Sequence, residues 1–307
     1  MSGNGRAPAL AVAGATGFVG RRLVPALIRR GHPVRCLVRD PGRAAGVLPE
    51  AAELIETDLE HPDGLAGKLE GAVHAHFLVH LMDQGSDYAE RERTVALNFA
   101  RAASEAGVTR ISYLGGLGGE SPHLASRQAT AQALADHGPP LTHFRAAMIV
   151  GPGSESYELL RAIVDRLPVA PSPGWLDNRT QPLGSRDLIA YLRDAPSVPE
   201  AAGRSIEIGG PDVLSHRDVI DELARQMGVR GPRWLPITER IVRPQVMAAG
   251  AATLTYGDPA VAAELALGLQ EETIVTDPSG AKLFDVRPER IATVFQRCLE
   301  EEERANG

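Results

Sequence analysis

The sequence is almost without lysine. Of its 32 basic residues all but Lys68 and Lys282 are arginine, a skew that matches a GC-rich genome and limits which catalytic pairs the chain can supply. Cysteine is as scarce. Cys36 and Cys298 stand far apart, with no CxxC and no metal-ligand spacing, which excludes a disulfide framework and predicts two reduced core thiols in a cytoplasmic protein. Positive charge is not in excess: 32 basic against 39 acidic residues leave a net charge of −7. A nucleic-acid ligand demands a basic face, so nucleic acid is not an expected partner. Nor does any run approach the ~18–20 apolar residues of a membrane span, so no membrane partner is expected. The apolar start over residues 7–13 has the outline of a short signal peptide. The glycine pattern beginning at Gly14 falls where a cleavage site would be, and a first buried strand is the better reading. His74, His76 and His80 lie at strand spacing in an apolar run, against the spacing rules for zinc, so no metal is expected.

What is present describes an ordinary globular enzyme. The chain has 307 residues, 43% hydrophobic and 23% charged, which argues against disorder and allows two domains. Short apolar runs at 9–13, 34–38, 53–57, 73–79, 110–114 and 142–146 alternate with amphipathic stretches such as 18–30, 87–106 and 124–137. Strands apolar throughout and separated by helices predict an α/β fold, a doubly wound parallel sheet covered on both faces. Gly31, Gly107 and Gly138 each stand where the residue after a helix C-terminus would. Beyond Gly153 prolines cluster. Residues 186–193 then read as a helix and 204–208 as a strand returning to the main sheet. The stretch 215–307 reads as helical, with a short strand near 272–275. The expected division is a sheet domain of 1–150 plus 181–210 and a smaller, mostly helical lobe of 151–180 plus 211–307.

Between the first strand and its helix stands Gly14-Ala15-Thr16-Gly17-Phe18-Val19-Gly20, a GxxGxxG spacing. Gly14 permits a tight turn, Gly17 lets backbone N–H groups approach a diphosphate, and Gly20 allows close helix–strand packing. The whole run, Thr16, Phe18 and Val19 included, is expected to hold a dinucleotide whose diphosphate rests on the positive end of the helix, in the Rossmann manner. The end of the second strand selects the cofactor. Where an NAD site places a carboxylate, the chain has Val38, followed by Arg39, with Arg43 one turn on. A guanidinium matches a 2′-phosphate, so NADPH is expected, with NADH bound more weakly. Asp58 and Leu59, at the end of the third strand, are placed to meet the adenine; Asp58 equally suits a cap.

These stretches resemble the extended and atypical short-chain dehydrogenase/reductases, and more narrowly their NmrA-like and YbjT-like NAD(P)-binding branch. The resemblance is carried by residues 12–20, 35–41, 77–82, 113–118 and 206–211 and runs from about residue 9 to about Glu300. In the wider family a Tyr-x-x-x-Lys pair protonates the substrate carbonyl while a serine on the fifth strand orients it. This sequence departs there. Four residues beyond each tyrosine stand Glu92, Leu117, Arg161, Ala195 and Ala260, none of them lysine. His123 stands in the tyrosine position and Arg127 in the lysine position. Gly115 and Gly116 occupy the serine region, with Ser112 and Ser121 nearby.

Three arrangements fit this departure. His123 donates the proton, an imidazole being suited to acid–base work near neutral pH, and Arg127 holds the nicotinamide ribose. Alternatively the substrate's own hydroxyl or water supplies the proton, and the chain contributes hydride geometry. In the third, nothing turns over, and the protein is an NADP(H)-sensing regulator of the NmrA type. For a reductase, Met82, Tyr157, Leu160, Trp175, Leu176, Trp234 and Met247 are candidate pocket walls as well as ordinary core. An apolar pocket suits a small-molecule hydrophobic aromatic ketone. The resemblance extends to angucyclinone ketoreductases of the simocyclinone type in antibiotic biosynthesis; a quinone reductase would share the cofactor. Oligomeric state is not legible in the sequence.

Overall fold

The computed structural model of the chain describes residues 8–81, 88–118, 122–238 and 244–306, with the side chains of Tyr88, Pro122, His123, Pro244 and Asn306 outside that description. The first half alternates strand and helix. It runs β1 (Ala9–Ala13), α1 (Gly20–Arg29), β2 (Val34–Val38), α2 (Pro41–Ala45), β3 (Glu53–Glu56), α3 (Leu65–Leu69), β4 (Ala72–Phe77), α4 (Tyr88–Glu105), β5 (Arg110–Gly116), α5 (Pro122–His137) and β6 (Leu141–Ala146). After α6 (Glu155–Arg166) and α7 (Ser185–Asp194), strand β7 (Ser205–Ile208) returns and pairs in parallel with β6. The sheet has the order β7-β6-β5-β4-β1-β2-β3 and every pairing in it is parallel.

Period-two alternation in β1 distributes the core over both faces of this sheet. Leu10 and Val12 pack with Leu23, Val24 and Leu27 of α1 and Leu188 and Leu192 of α7. Ala11 and Ala13 face the other way, toward Val95 and Phe99 of α4 and Leu134 of α5. The result is a three-layer Rossmann-type α/β fold. Chain order reverses between β1 and β4, which opens a crevice at the carboxyl ends of those two strands.

The remaining helices are α8 (His216–Gln226), α9 (Pro244–Leu254), α10 (Pro259–Gly268) and α11 (Ile291–Asn306). Tyr157 and Leu160 of α6, Val219 and Leu223 of α8, and Phe295 of α11 form a second core. Helices α9 and α10 pair through Ala248, Ala251, Ala262 and Ala266, against Leu159. Small side chains let the two backbones approach closely.

Three details differ from the sequence reading. Gly31 (φ +86°) and Gly107 (φ +74°) end their helices in the left-handed conformation, but Gly138 does not. Its N–H continues the helical pattern to the Leu134 carbonyl, and a Cβ there would lie 2.6 Å from that oxygen. Around 272–275 there is a single bridge, Thr180 to Thr273, where a strand was expected. An unanticipated parallel pair joins residues Val169–Ser172 and Arg233–Pro236. Cys36 and Cys298 are free and buried. Among the described residues no helix is long and apolar enough to cross a membrane, and no group of His, Cys, Asp or Glu is placed to hold a metal ion.

Candidate functional site

The glycine loop between β1 and α1 lies at the crevice. Gly14 has φ +80°, and a Cβ on it would sit 2.4 Å from the Leu78 carbonyl oxygen, so the exits of β1 and β4 touch. A Cβ on Gly20 would meet the Gly14 oxygen at 2.3 Å. Both positions exclude any side chain. Gly17 is different: its N–H closes the turn onto the Gly14 carbonyl at 3.2 Å, and a Cβ there would touch only that oxygen, at 3.4 Å. Thr16 and Gly17 are exposed, and Phe18 carries the Arg22 guanidinium 4.0 Å above its ring. Val19, at the start of α1, caps no backbone group, and the first turn holds no acidic residue. No acidic side chain of its own first turn offsets the positive end of α1, and the loop before it is exposed at Thr16 and Gly17. These features fit a diphosphate.

At the end of β2, Arg39 and Arg43 are exposed, and neither forms an ion pair among the described residues. Asp40 does not compete for a ribose: its side chain accepts from the Arg43 N–H and caps α2. Asp58 is committed locally. One oxygen accepts from the Glu60 N–H at 3.0 Å and the other bonds His61 Nδ1 at 2.8 Å, and these bonds hold its carboxyl below the usual range. The cap here closes a turn and not a helix. Leu59 is half-buried against the α4 side of the core.

Packing at the end of β5 explains why no serine stands there. A Cβ on Gly115 would lie 2.3 Å from His143 Nε2, and one on Gly116 would lie 2.3 Å from Leu124 Cδ2. Ser112 is spent on the opposite task, bonding the buried His74 at 2.8 Å. Tyr113 is buried, and burial pushes its phenol up to about 12. Ser121, like Met82, lies outside the described residues, as does the side chain of His123. His123 and Arg127 stand one turn apart on α5. Arg127 Nη1 donates to the Leu114 carbonyl at 2.8 Å, which anchors its guanidinium at the carboxyl end of β5. Arg145, at the end of β6, pairs with Glu207 at 3.2 Å and donates to the Gly116 and Gly118 carbonyls, so its role is to hold the chain leaving β5.

The structure adds two residues to this neighbourhood. Glu92 of α4 is 1% exposed, yet its carboxyl is held below the ordinary carboxylate value. Burial raises its pKa, but the hydrogen bond and charge of His80, the charge of Arg127 and the Ser126 hydroxyl more than reverse this. His80 Nδ1 lies 2.8 Å from Glu92 Oε1, and Ser126 Oγ donates to Oε2 at 3.1 Å. His80 follows β4 two residues beyond the Leu78 carbonyl that touches Gly14. The sequence held a signal for this: Glu92 is in helical phase with Val95, Ala96 and Phe99, the buried face of α4.

Most of the expected pocket walls are core. Tyr157 and Leu160 pack into the second core, and Trp175 and Leu176 are buried on one short turn. Trp234 is half-buried and donates its indole N–H to Asp221; Met247 on α9 is half-buried. Apolar surface lies instead on α9 and α10, whose sequences contain a single charged residue, Glu264. The chain that follows α10 reaches the site, since a Cβ on Gly118 would lie 2.9 Å from the Glu271 carboxylate.

Residues 14–146 match the family model described as NAD(P)H-binding. The chain is 27% identical over 304 residues to a ceramide reductase of Caulobacter vibrioides, covering 93% of this chain and 90% of that protein. A local match, 43% identical over 60 residues, is to the photosystem II assembly factor Ycf39 of Cyanophora paradoxa and spans 19% of that protein. Among solved structures, an NADPH-dependent quinone oxidoreductase of Escherichia coli superposes with a TM-score of 0.72 at 20% identity, over 94% of this chain and 99% of that one. A triphenylmethane reductase of Citrobacter gives 0.73 at 17% identity, over 95% and 99%. At such identities the structures establish the fold.

Proposed function

We propose that the protein is an NADPH-dependent reductase that directs hydride to the carbonyl of a bulky aromatic substrate without a Tyr–Lys pair. One observation carries the cofactor reading: two exposed guanidiniums without ion-pair partners among the described residues, Arg39 and Arg43, follow β2, the strand beside the one that leads into the glycine loop. A 2′-phosphate offers them a bidentate partner that no described residue provides. In this reading Gly14, Thr16, Gly17, Phe18, Val19 and Gly20 hold the diphosphate, Asp58 and Leu59 border the adenine, and Arg127 meets the nicotinamide ribose. Residues 1–150 plus 181–210 then form the cofactor domain of a cytoplasmic enzyme, and 151–180 plus 211–307 the substrate lobe.

The nearly uncharged α9–α10 pair, leading into the chain beside Gly118, supports a flat hydrophobic ligand. A polyketide ketone of the angucyclinone kind fits that surface and brings an acidic hydroxyl of its own, which, with water or His123, is one source of the proton. A quinone is the second acceptor class, favoured by the likeness to the E. coli quinone oxidoreductase. The test titrates the purified protein with NADPH and NADH, then follows reduced-nicotinamide absorbance over a panel of polyphenolic ketones and quinones. Tight NADPH binding with acceptor-dependent oxidation is expected, and Arg39→Ala should weaken NADPH by about 10-fold or more while leaving NADH nearly unchanged. Equal weakening of both cofactors refutes the 2′-phosphate assignment. Tight binding with no oxidation across the panel favours the NADP(H) sensor.

A further inference from the structure

A cleft of about 540 Å³ lies between α1, α7 and α11, a size that holds a small molecule. Six of the seventeen residues lining it are arginine, against 30 of 307 in the chain, and one, Glu301, is acidic. In a chain of net charge −7 this is a local reversal of sign. The walls include none of residues 14–20, nor Arg39, Arg43 or Arg127, so the cofactor reading makes no use of them.

Helices α1 and α7 run side by side in the same sense. Arg30, just past α1, pairs with Asp194 at the end of α7 at 3.3 Å. At the other end Arg22 donates to the Pro152 carbonyl, and the neighbouring Gly151 packs on Ser185. Arg22, Pro25, Ala26 and Arg29 recur at helical spacing and share one face of α1. Between the two arginines the floor is apolar, completed by Ile189 and Ala190 of α7 and Val294 of α11. Arg22 and Arg29 are seven residues apart, about 10 Å along the helix.

Only half of the six guanidiniums are compensated. Arg186 pairs with Glu301 at 2.7 Å, Arg193 with Asp194, and Arg297 with Glu289, with Asp187 also near Arg297. The other three lie on α1. Arg21 and Arg29 are exposed, and neither side chain has a partner among the described residues. Arg22 is half-buried and donates to the Phe18 and Pro152 carbonyls. Burial, then the charge of Arg21, pulls Arg22 below its ordinary value, against a weaker opposing pull from Glu301. Charges that serve only solubility would spread over the surface; these converge on one concave floor.

We propose that this cleft binds a small organic phosphate, a phosphate or diphosphate group on an uncharged body. The phosphate lies at the Arg21–Arg22 end, where two uncompensated guanidiniums adjoin and offer the fork that phosphate oxygens match. The body lies along Pro25, Ala26 and Ile189 toward Arg29. This site goes beyond the reductase reading and is independent of it.

The experiment is isothermal titration of the full-length chain with ADP, geranyl diphosphate and inorganic pyrophosphate, each with and without NADPH. The first two probes carry one diphosphate on a nucleoside and on a hydrocarbon, and so separate the two sources of such a ligand. At least one should bind one-to-one and about 10-fold or more tighter than pyrophosphate, because the floor favours only a ligand with a body. Arg21→Ala should weaken it by about 10-fold or more, and Arg29→Ala by about threefold. Arg101→Ala, which removes an equal exposed charge from α4 on the far face of the sheet, should change affinity by less than about twofold. Three results overturn the proposal: neither organic probe binds; Arg21→Ala and Arg101→Ala weaken binding equally; or NADPH displaces the probe while Arg29→Ala has no effect, which puts the probe on the glycine loop. A chain that holds a probe through Arg21 and Arg29 yet fails to bind NADPH keeps the cleft and loses the cofactor reading.

Discussion

Acid should destabilise this fold well above the pH at which carboxylates protonate, because several imidazoles are buried uncharged. His76 is fully buried on β4, and among the described residues neither ring nitrogen has a hydrogen-bond partner. Burial pushes it down to about 3, aided by the charge of His32. Burial likewise pushes His143 and His216 down to about 4, and lowers His74 beside them. In the unfolded chain each titrates near 6.5. Between 6.5 and 4 the unfolded state therefore binds protons that the native state refuses, and stability falls as pH falls through that window. Between pH 7 and pH 5 the loss is about 2 kcal/mol for each of His76, His143 and His216, or about 6 kcal/mol together. Native proteins have about 5–15 kcal/mol in total. Asp187, whose carboxyl is raised by burial, works in the opposite direction, while Glu92, Glu207 and Asp58 are lowered and lose their contribution only in stronger acid. The assay is urea unfolding followed by circular dichroism at pH 7 and pH 5. The midpoint should drop sharply, and His76→Leu should recover about a third of the drop. An unchanged wild-type midpoint at pH 5, or a His76→Leu chain that loses as much as wild type, refutes the reasoning.

Two further substitutions probe the glycines. Gly17→Asp should leave the thermal midpoint nearly unchanged, because its Cβ meets only the Gly14 oxygen at 3.4 Å, yet reduce NADPH affinity by about 100-fold or more through the repulsion of carboxylate and diphosphate. Retained affinity in a fluorescence titration removes the diphosphate assignment. Gly115→Ser restores the family's residue type but puts a Cβ 2.3 Å from the His143 ring. It should cost about 1–3 kcal/mol in stability with no gain in rate, measured by urea midpoint and turnover; a stable, faster variant contradicts the packing account.

Asp58 and the Tyr157–Arg161 pair show how local and distant effects divide. Asp58 sits at a strand end where a carboxylate is open to several roles, and the next three residues decide it: the Glu60 N–H and His61 ring take both oxygens. Tyr157 and Arg161, one turn apart on α6, belong to the lobe's interior and its ion pairs. Tyr157 packs on Phe295, and Arg161 pairs with Asp165 and Glu302.

The parallel sheet was legible in the sequence because its signals are local. Apolar runs mark β1 to β6 within a residue or two, and the GxxGxxG spacing places a sharp turn and a close packing contact within seven residues. Gly20 packs against Gly14 and Ala15, its neighbours in sequence, while Gly14 also meets the β4 exit at Leu78. The buried polar cluster around Glu92 was not legible. His80, Glu92 and Ser126 come from a strand exit and two helices, and only the packing of α4 and α5 on one face of the sheet brings their side chains to hydrogen-bond distance. The same holds for Gly115, whose missing side chain is explained by His143 on the neighbouring strand, and for Gly138, where a Cβ would crowd the Leu134 carbonyl oxygen and the Ile111 side chain. Sequence alone determined which backbone conformations the chain adopts, since propensity and period act over a few residues. Tertiary structure decided which polar groups share a buried volume, since that depends on the strand order and on which helix face turns inward.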